Sequence, residues 1–291
     1  MAYLINQSIN RLDRGAFFAL GLISLICCSL LGMVIWFLFH ESLPVLRGSH
    51  AGSFIFDNSW FPLEQRFGVM PMVLASLAIA LGATFIATPF GIASAIFLAF
   101  YSRGPIKSTF RLLMNILAGV PSVVLGLWGL TELVPIVASI QPPGTSLLTA
   151  VLVLSLMILP TVTLTSTAAL GAVPPQFLEG AQALGFNQKS VILHIALPAA
   201  KAGIISGVLL AIARALGETM VVLMVAGNVV QNPSGLLEPV RALTANIALE
   251  MAYAMEDHRA SLFFSGLLLT LVVWALAMLS TRFRSLDGRT Q

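Results

Sequence analysis

Charged side chains are scarce in this sequence. Asp, Glu, Lys and Arg together make up 9% of its 291 residues, and hydrophobic residues make up 58%. A soluble globular protein carries about 25% charged residues. A surface with so little charge cannot be mostly in contact with water, which excludes an ordinary soluble domain and predicts an integral membrane protein.

Cysteine is nearly absent as well. The two cysteines, Cys27 and Cys28, are adjacent and lie inside a long apolar stretch, so they predict neither a disulfide framework nor a metal site. The apolar stretches also hold no nucleophile paired with a base and no metal cluster, and we therefore expect no catalytic residues, no metal and no cofactor. A phosphate-binding loop of the form Gly-x-x-x-x-Gly-Lys-Ser/Thr is missing, so any ATP must be hydrolysed by other chains.

Long apolar runs are what the sequence has in abundance. Each is long enough to cross about 30 Å of hydrocarbon as a helix, which takes roughly 20 residues. Four contain no charged residue, namely 16–39, 71–100, 147–173 and 261–281; 112–140 contains Glu132, and 203–227 contains Arg214 and Glu218. The chain is therefore predicted to be an all-α membrane protein with six transmembrane helices.

Basic residues are unevenly divided between the predicted loops. With a cytoplasmic N-terminus, that side holds ten of the fifteen Lys and Arg residues: Arg11, Arg14, Arg103, Lys107, Arg111, Lys189, Lys201, Arg282, Arg284 and Arg289. The positive-inside rule then predicts that both termini are cytoplasmic. No basic stripe with interleaved aromatic residues occurs, so we expect contact with membrane lipid and none with nucleic acid.

Three connecting segments carry weaker signals. Residues 40–70 have no clear periodicity and are predicted to form an irregular outer loop, with one short helix at most. Residues 141–144 (Gln-Pro-Pro-Gly) predict a tight turn. Residues 243–255 can form a short amphipathic helix at the outer surface. Pro89 and Pro121 predict kinks in the second and third spans.

The segment 174–201 predicts two short helices that meet at a glycine. In the first helix, Phe177, Leu178, Ala181 and Leu184 fall on one face. Glu179 lies near the helix start, where a carboxylate is favoured by the macrodipole.

Gly185 can end the first of these helices in a left-handed conformation. Asn187 is a suitable cap for the second helix, which Pro198 is expected to interrupt. His194 in this helix is expected to be a contact residue. By composition alone, the whole segment is equally compatible with an amphipathic connector on the bilayer surface.

The spacing within the 174–201 segment resembles the cytoplasmic signature of permeases of binding-protein-dependent ABC importers. That signature runs Glu-Ala-Ala, three residues, Gly, nine residues, Ile-x-Leu-Pro, and the matching residues here are Glu179, Ala181, Gly185, Ile195, Leu197 and Pro198. Gly180 stands where the family more often has Ala. The resemblance implies the type I permease fold and a loop that docks in a groove of an ATPase subunit through Glu179, Gly180, Ala181, Leu184 and Gly185.

The fifth predicted span carries two charged residues. Arg214 and Glu218 are four residues apart and are predicted to share a helix face. A charged side chain at the centre of a membrane helix costs roughly 2.5–3.5 kcal/mol, so it usually faces protein or a watery path. Two readings remain open: a structural ion pair between helices, or a passage where Arg214 attracts an anion and Glu218 orients the guanidinium and limits binding.

Three stretches are similar to PstC-type permeases of phosphate importers: 213–220 (ARALGETM), 117–130 and 243–251. The resemblance implies phosphate import across a bacterial cytoplasmic (inner) membrane. It also implies a second, PstA-like permease subunit, two copies of an ATP-binding subunit and a periplasmic phosphate-binding protein. Ala75 and Ser76, where Gly-Thr is common, and Asn115, where an acidic residue is common, depart from the family pattern.

Two alternatives to phosphate import stay open. The first is a permease for another oxyanion such as sulfate. The second is an autonomous channel or secondary transporter that uses Arg214 and Glu218 as its filter, for which inverted repeats with broken helices would be expected. We divide the chain into an N-terminal helix and loop (1–70), a permease domain (71–283) and a cytoplasmic tail (284–291).

Overall fold

Helices make up most of the fold. The computed structural model describes the backbone of residues 2–47, 54 and 57–287, and the side chains of these residues from 16 to 282. In chain order the elements are α1 (Ala2–Arg47), β1 (Trp60–Phe61), β2 (Arg66–Phe67), α2 (Met70–Ile96), α3 (Gly104–Gly119), α4 (Ser122–Trp128), α5 (Val134–Ala138), α6 (Leu147–Gly171), α7 (Pro175–Ala183), α8 (Gln188–Val191), α9 (Leu197–Leu216), α10 (Met220–Val225), α11 (Leu243–Glu250) and α12 (Glu256–Asp287). Of the predicted tail, residues 288–291 lie outside the described part.

Five helical stretches are long and apolar enough to cross a membrane: Ala16–Arg47, Met70–Tyr101, Leu147–Gly171, Gln188–Leu216 and Glu256–Arg282. Four of them coincide with predicted apolar blocks. The remaining one begins earlier than the predicted block 203–227, because α8 and α9 join through a wider helical turn at Ile192–Ala196. It also ends earlier, because α9 stops at Leu216. The all-α membrane fold is confirmed.

The predicted third span is not a single helix. Helix α3 and the following stretch Ser122–Ala138 meet at Pro121 with a bend of 91°. Proline lacks the backbone N–H that would continue the helix, and the residue before it is driven into an extended conformation, as Val120 is here. The kink predicted at Pro121 is therefore a change of direction, and the chain has six spans if this bent pair counts as one. Pro89, by contrast, does not end its helix, because α2 continues through it from Met70 to Ile96.

The main core lies between α2 and α6, with α9 packed against both. Small residues on α2 allow the close approach: a Cβ at Gly91 would lie 2.7 Å from Cγ1 of Val162 on α6. Helices in a membrane pack most closely where small residues face each other. By contrast, α1 is exposed along most of its length and contacts α12 near its C-terminal end, where Phe37 and Phe263 pack edge to face.

Two ends of the bundle can be distinguished. Strands β1 and β2 form an antiparallel hairpin just before α2, so we call this the hairpin end. At the other end of α2, the Gln188 amide donates a hydrogen bond to the Phe100 carbonyl at 2.9 Å, which places the 174–201 segment there. We call this the segment end.

The hairpin lies within residues 40–70, which were predicted to form an irregular loop. Trp60 pairs with Phe67, and Trp60 is buried with Met72, Leu243 and Phe264 in a second, smaller core. Strands of two residues are too short for an alternating pattern to reveal them. Residues 48–53, 55 and 56 of that loop lie outside the described part of the chain.

Candidate functional site

The 174–201 segment has the two-helix form that its sequence predicts. Gly185 has a φ of +84° and follows α7. The Gly185 N–H donates to the Gln182 carbonyl at 2.9 Å and the Phe186 N–H to the Ala181 carbonyl at 3.1 Å, which is the hydrogen-bond pattern of a Schellman helix end. Asn187 caps the second helix by accepting from the Ser190 N–H at 2.8 Å.

Two details of this segment were predicted wrongly. Glu179 is the fifth residue of α7 and so lies beyond the first turn, where the macrodipole acts most strongly. Pro198 does not interrupt the second helix. It lies in the first turn of α9, directly after the wider turn Ile192–Ala196, where its missing N–H costs little.

The predicted apolar face of α7 is divided between the core and the surface. Ala181 is buried and Leu178 is partly buried against the core at the segment end. Phe177 and Leu184 are 55% and 80% exposed, because the short helix touches the bundle along one narrow side. Glu179, Gly180 and Gly185 are exposed too.

Further apolar side chains extend this surface. Phe186, directly after Gly185, is 47% exposed, and Leu193 in the second helical stretch is 59% exposed. His194 is exposed, with Nδ1 3.2 Å from the Ser190 carbonyl oxygen. A cluster of exposed apolar side chains on a polar loop is a feature of protein-interaction sites.

Arg214 and Glu218 do not share a helix face, contrary to the prediction. Helix α9 ends at Leu216 and Gly217 follows as its C-cap, so Glu218 lies in the break before α10. Glycine weakens helix propagation by about 1 kcal/mol relative to alanine, and here the chain leaves the helix at that residue. The prediction failed because it treated 203–227 as one uninterrupted helix.

Glu218 accepts two hydrogen bonds in the break. The Glu218 carboxylate accepts from the Val221 N–H at 3.3 Å, and the Glu218 carbonyl accepts from the Thr244 hydroxyl at 2.8 Å. Helix α4 of the bent pair packs on α10, with Gly126 against Val221 and Met224. The two interrupted spans therefore lie side by side. Irregular backbone within a membrane is tolerated where protein or a watery cavity surrounds it.

Arg214 is exposed in the single chain. Among the side chains described (16–47, 54 and 57–282), the ion pairs are Asp57–Arg66, Glu250–Arg241, Glu250–His258 and Glu41–Arg259, so Arg214 and Glu218 are not joined within 4.0 Å. Within the chain, the reading of these two residues as a structural ion pair is unsupported. Glu132 is exposed in the wide turn Gly129–Leu133 of the bent pair.

Sequence reasoning missed a buried carboxylate at the hairpin end. Helix α11 was predicted to lie at the outer surface as part of 243–255, but Leu243, Asn246 and Glu250 are all buried. Glu250 accepts from Trp60 Nε1 at 2.8 Å, pairs with Arg241 Nη1 at 2.7 Å and contacts His258 Nε2 at 2.8 Å. We call these four residues the Glu250 cluster.

Arg241 extends the Glu250 cluster towards an open pocket of about 510 Å³. Its Nε donates to the Asn228 carbonyl at 2.8 Å, and its Nη1 also donates to Asn246 Oδ1 at 3.0 Å. The sequence offered little signal for this site beyond isolated charged residues between apolar blocks. Among the described residues, no group of His, Cys, Asp and Glu is arranged to hold a metal ion.

Comparison with known proteins gives the family. Residues 87–286 match the family described as "Binding-protein-dependent transport system inner membrane component". The "Phosphate transport system permease protein PstC" of Mesorhizobium japonicum is 32% identical over 90% of this chain and 86% of its own length. The "Probable ABC transporter permease protein YqgH" of Bacillus subtilis is 36% identical over 83% of this chain and 80% of its own length.

A solved structure shows the same fold. It is titled "Inward facing conformations of the MetNI methionine ABC transporter: CY5 native crystal form", and it superposes with a TM-score of 0.61 at 17% identity, covering 78% of this chain and 99% of that one. The likeness supports the type I permease fold predicted from the 174–201 segment. The chain belongs to the family of inner membrane components of binding-protein-dependent transport systems, and is thus a multi-pass transport subunit rather than an enzyme.

Proposed function

We propose that this chain is a permease subunit of an ATP-driven importer that carries inorganic phosphate across the bacterial cytoplasmic membrane. The observation that carries the proposal is similarity over most of the chain to relatives named as phosphate transport permeases. The family match supports the importer class independently. The stretches around Arg214 and α11, on which the phosphate resemblance was based, are the ones that form the break and its support.

The family implies ATP-binding subunits and a substrate-binding protein as partners. We further propose a second, PstA-like permease subunit and two copies of the ATP-binding subunit. The exposed Arg214 supports a second permease, because a charge left at membrane depth needs protein or water around it.

The 174–201 segment is our proposed docking site for an ATP-binding subunit, with both chain termini on the same, cytoplasmic side. Exposed Phe177, Leu184 and Phe186 supply apolar contact area around the Gly185 turn. Glu179 supplies a charge beside it. The segment continues without interruption into α9, so a displacement of the docked loop is transmitted to the break after Leu216 through one continuous helix.

The break between α9 and α10 is the proposed substrate passage. A guanidinium suits an oxyanion because its planar donors match phosphate oxygens. Arg214 is free of a carboxylate partner among the described side chains, so its charge is available to a passing anion. Glu218 lies just beyond it and accepts from the Val221 N–H of α10, so its negative charge stays close to the passage and limits how firmly an anion is held.

Sulfate or another oxyanion could bind the same guanidinium, so an uptake experiment is needed to distinguish these substrates from phosphate. Broken helices, which an autonomous channel or secondary transporter would also show, do occur at Pro121 and after Leu216. Family membership nevertheless assigns the chain to the ATP-driven importers.

The test is uptake of labelled phosphate into vesicles that contain the complete complex, with and without ATP. Phosphate uptake that requires ATP is expected, and uptake of sulfate in its place would refute the substrate. Arg214→Ala should abolish phosphate uptake while the complex still assembles. The matched control is Arg66→Ala, which removes an exposed arginine at the hairpin end. Normal uptake by Arg214→Ala would refute the proposed passage.

A further inference from the structure

Helix α11 connects the Glu250 cluster to the break in the fifth span. It is eight residues long, which corresponds to about 12 Å. Near its start, the Thr244 hydroxyl donates to the Glu218 carbonyl at 2.8 Å, and the Leu243 N–H donates to Ser76 Oγ of α2 at 2.9 Å. At its other end lies Glu250. One short helix thus has a contact with the proposed passage at one end and a buried carboxylate at the other.

The Glu250 carboxylate joins three separate elements, of which the hairpin is 190 positions away in sequence. Trp60 comes from the hairpin, Arg241 from the loop before α11 and His258 from the first turn of α12. The Glu250 and His258 side chains are 7% and 12% exposed. A carboxylate buried to this degree requires its partners, and removing one of them leaves an uncompensated charge or an unpaired donor.

We propose that Glu250 is a positioning residue for the passage, acting through α11 and Thr244. This rests on the proposed function, in which Arg214 and the break after Leu216 line the path of the anion. Glu218 lies outside a helix, so its carbonyl depends on the Thr244 hydroxyl for a partner. The Glu250 cluster fixes α11, and α11 fixes that hydroxyl.

The same connection reaches the hairpin. Trp60 is the hairpin's contact with Glu250, and its ring also packs against Phe67 with centroids 5.8 Å apart. A force applied to the hairpin is therefore transmitted through Glu250 and α11 to the backbone of Glu218. Each step is a contact between named groups, and the experiments below test whether these contacts are coupled energetically.

The first experiment compares Glu250→Gln, Thr244→Val and the double variant in the complete complex in vesicles. The readout is phosphate transported per ATP hydrolysed. Each single variant is expected to lower this ratio about fivefold or more, the range of typical couplings between sites. The double variant is expected to be no worse than the poorer single variant, because both changes release the same hydrogen bond.

The matched control for Thr244 is Thr270→Val. The Thr270 hydroxyl donates to the Gly266 carbonyl within its own helix, so its loss should leave the ratio unchanged. If the effects of Glu250→Gln and Thr244→Val multiply in the double variant, the two residues act separately and the inference is wrong. Unchanged transport per ATP in both single variants would overturn it as well.

A more conservative variant tests the same inference if Glu250→Gln fails to fold. Trp60→Phe removes one N–H donor and keeps an aromatic ring in the second core. It should lower the ratio in the same direction, whereas Trp36→Phe, on the exposed face of α1, should not. Equal ratios for the Trp60→Phe variant and the parent would contradict a path through the hairpin.

A readout independent of phosphate separates this inference from the proposed function. Thr219→Cys in a background lacking Cys27 and Cys28 reports access to the break by the rate of thiol labelling. Adding Glu250→Gln should increase that rate about fivefold or more. Faster labelling in a complex that does not transport phosphate would support the positioning role of Glu250 and refute phosphate as the substrate. Unchanged labelling in a complex that does transport phosphate would refute the positioning role and leave the proposed function standing.

Discussion

Replacing Gly185 by alanine changes the docking segment at one backbone position and nowhere else. Gly185 has a φ of +84°, and a Cβ built on it meets no atom within 4 Å. The effect of the substitution therefore comes from the backbone conformation alone. For a residue with a side chain, the left-handed conformation costs roughly 1–2 kcal/mol.

The cost falls on the hydrogen bonds that join the two short helices. The Gly185 and Phe186 N–H groups both donate back into α7, and a residue that resists the left-handed conformation weakens both bonds. A difference of 1–2 kcal/mol lowers the ratio of the native turn to its alternatives by a factor of about 5–30. If this turn presents Glu179 and Leu184 to an ATP-binding subunit, the apparent Kd should rise, by up to that same factor, because it varies inversely with the fraction of molecules that hold the native turn.

The assay is equilibrium binding of the purified ATP-binding subunit to the permease in lipid nanodiscs. Gly171→Ala is the matched control, because it also adds a methyl group in open space at the segment end but needs no left-handed backbone. Gly185→Ala binding as tightly as the parent would refute the role of the turn. Equal weakening by Gly171→Ala would show that any added methyl group there disturbs docking.

Three further predictions use the same complex. Asn187→Ala removes the cap on α8, which should cost about 1 kcal/mol and weaken ATPase binding about fivefold. Asn187→Asp keeps a capping side chain and should retain binding. Binding of the alanine variant as tight as that of the parent would contradict this. Glu179→Lys reverses an exposed charge and should reduce ATP-dependent uptake at an unchanged Tm, so full uptake would count against docking there. Gly207→Val should lower the free energy of unfolding by about 1–3 kcal/mol, because its Cβ would overlap Thr165. The control Gly21→Val adds its side chain in open space and should leave Tm unchanged. Equal Tm values for these two variants would refute close packing of α9 on α6.

Features that depend on a few neighbouring residues were predictable from the sequence. The span ending at Gly171 follows from its length and lack of charge, and the turn at Gly185 follows from the conformation that only glycine adopts readily. The cap at Asn187 follows from the side chains that can accept from a free N–H two or three residues on. Each of these signals is complete within one stretch of chain.

The end of α9 was at the limit of such reasoning. Apolar composition continues from 203 to 227, so the sequence indicated one helix that carries both Arg214 and Glu218. The helix in fact stops at Leu216, and packing of α4 on α10 and the bond from Thr244 support the unwound residues. A local pattern could not show this, because the supporting groups come from other elements.

The sequence by itself determined that this chain crosses a membrane, which stretches do so and where the two short helices of the docking segment meet, because hydrophobic length and capping are local properties. The tertiary structure decided how Trp60, Arg241 and His258 meet at Glu250. Trp60 and Glu250 are 190 positions apart, and a single carboxylate is not part of a periodic pattern from which its partners could be predicted. Buried charge is stabilised by whatever the fold brings to it, and that is set by packing across the whole bundle.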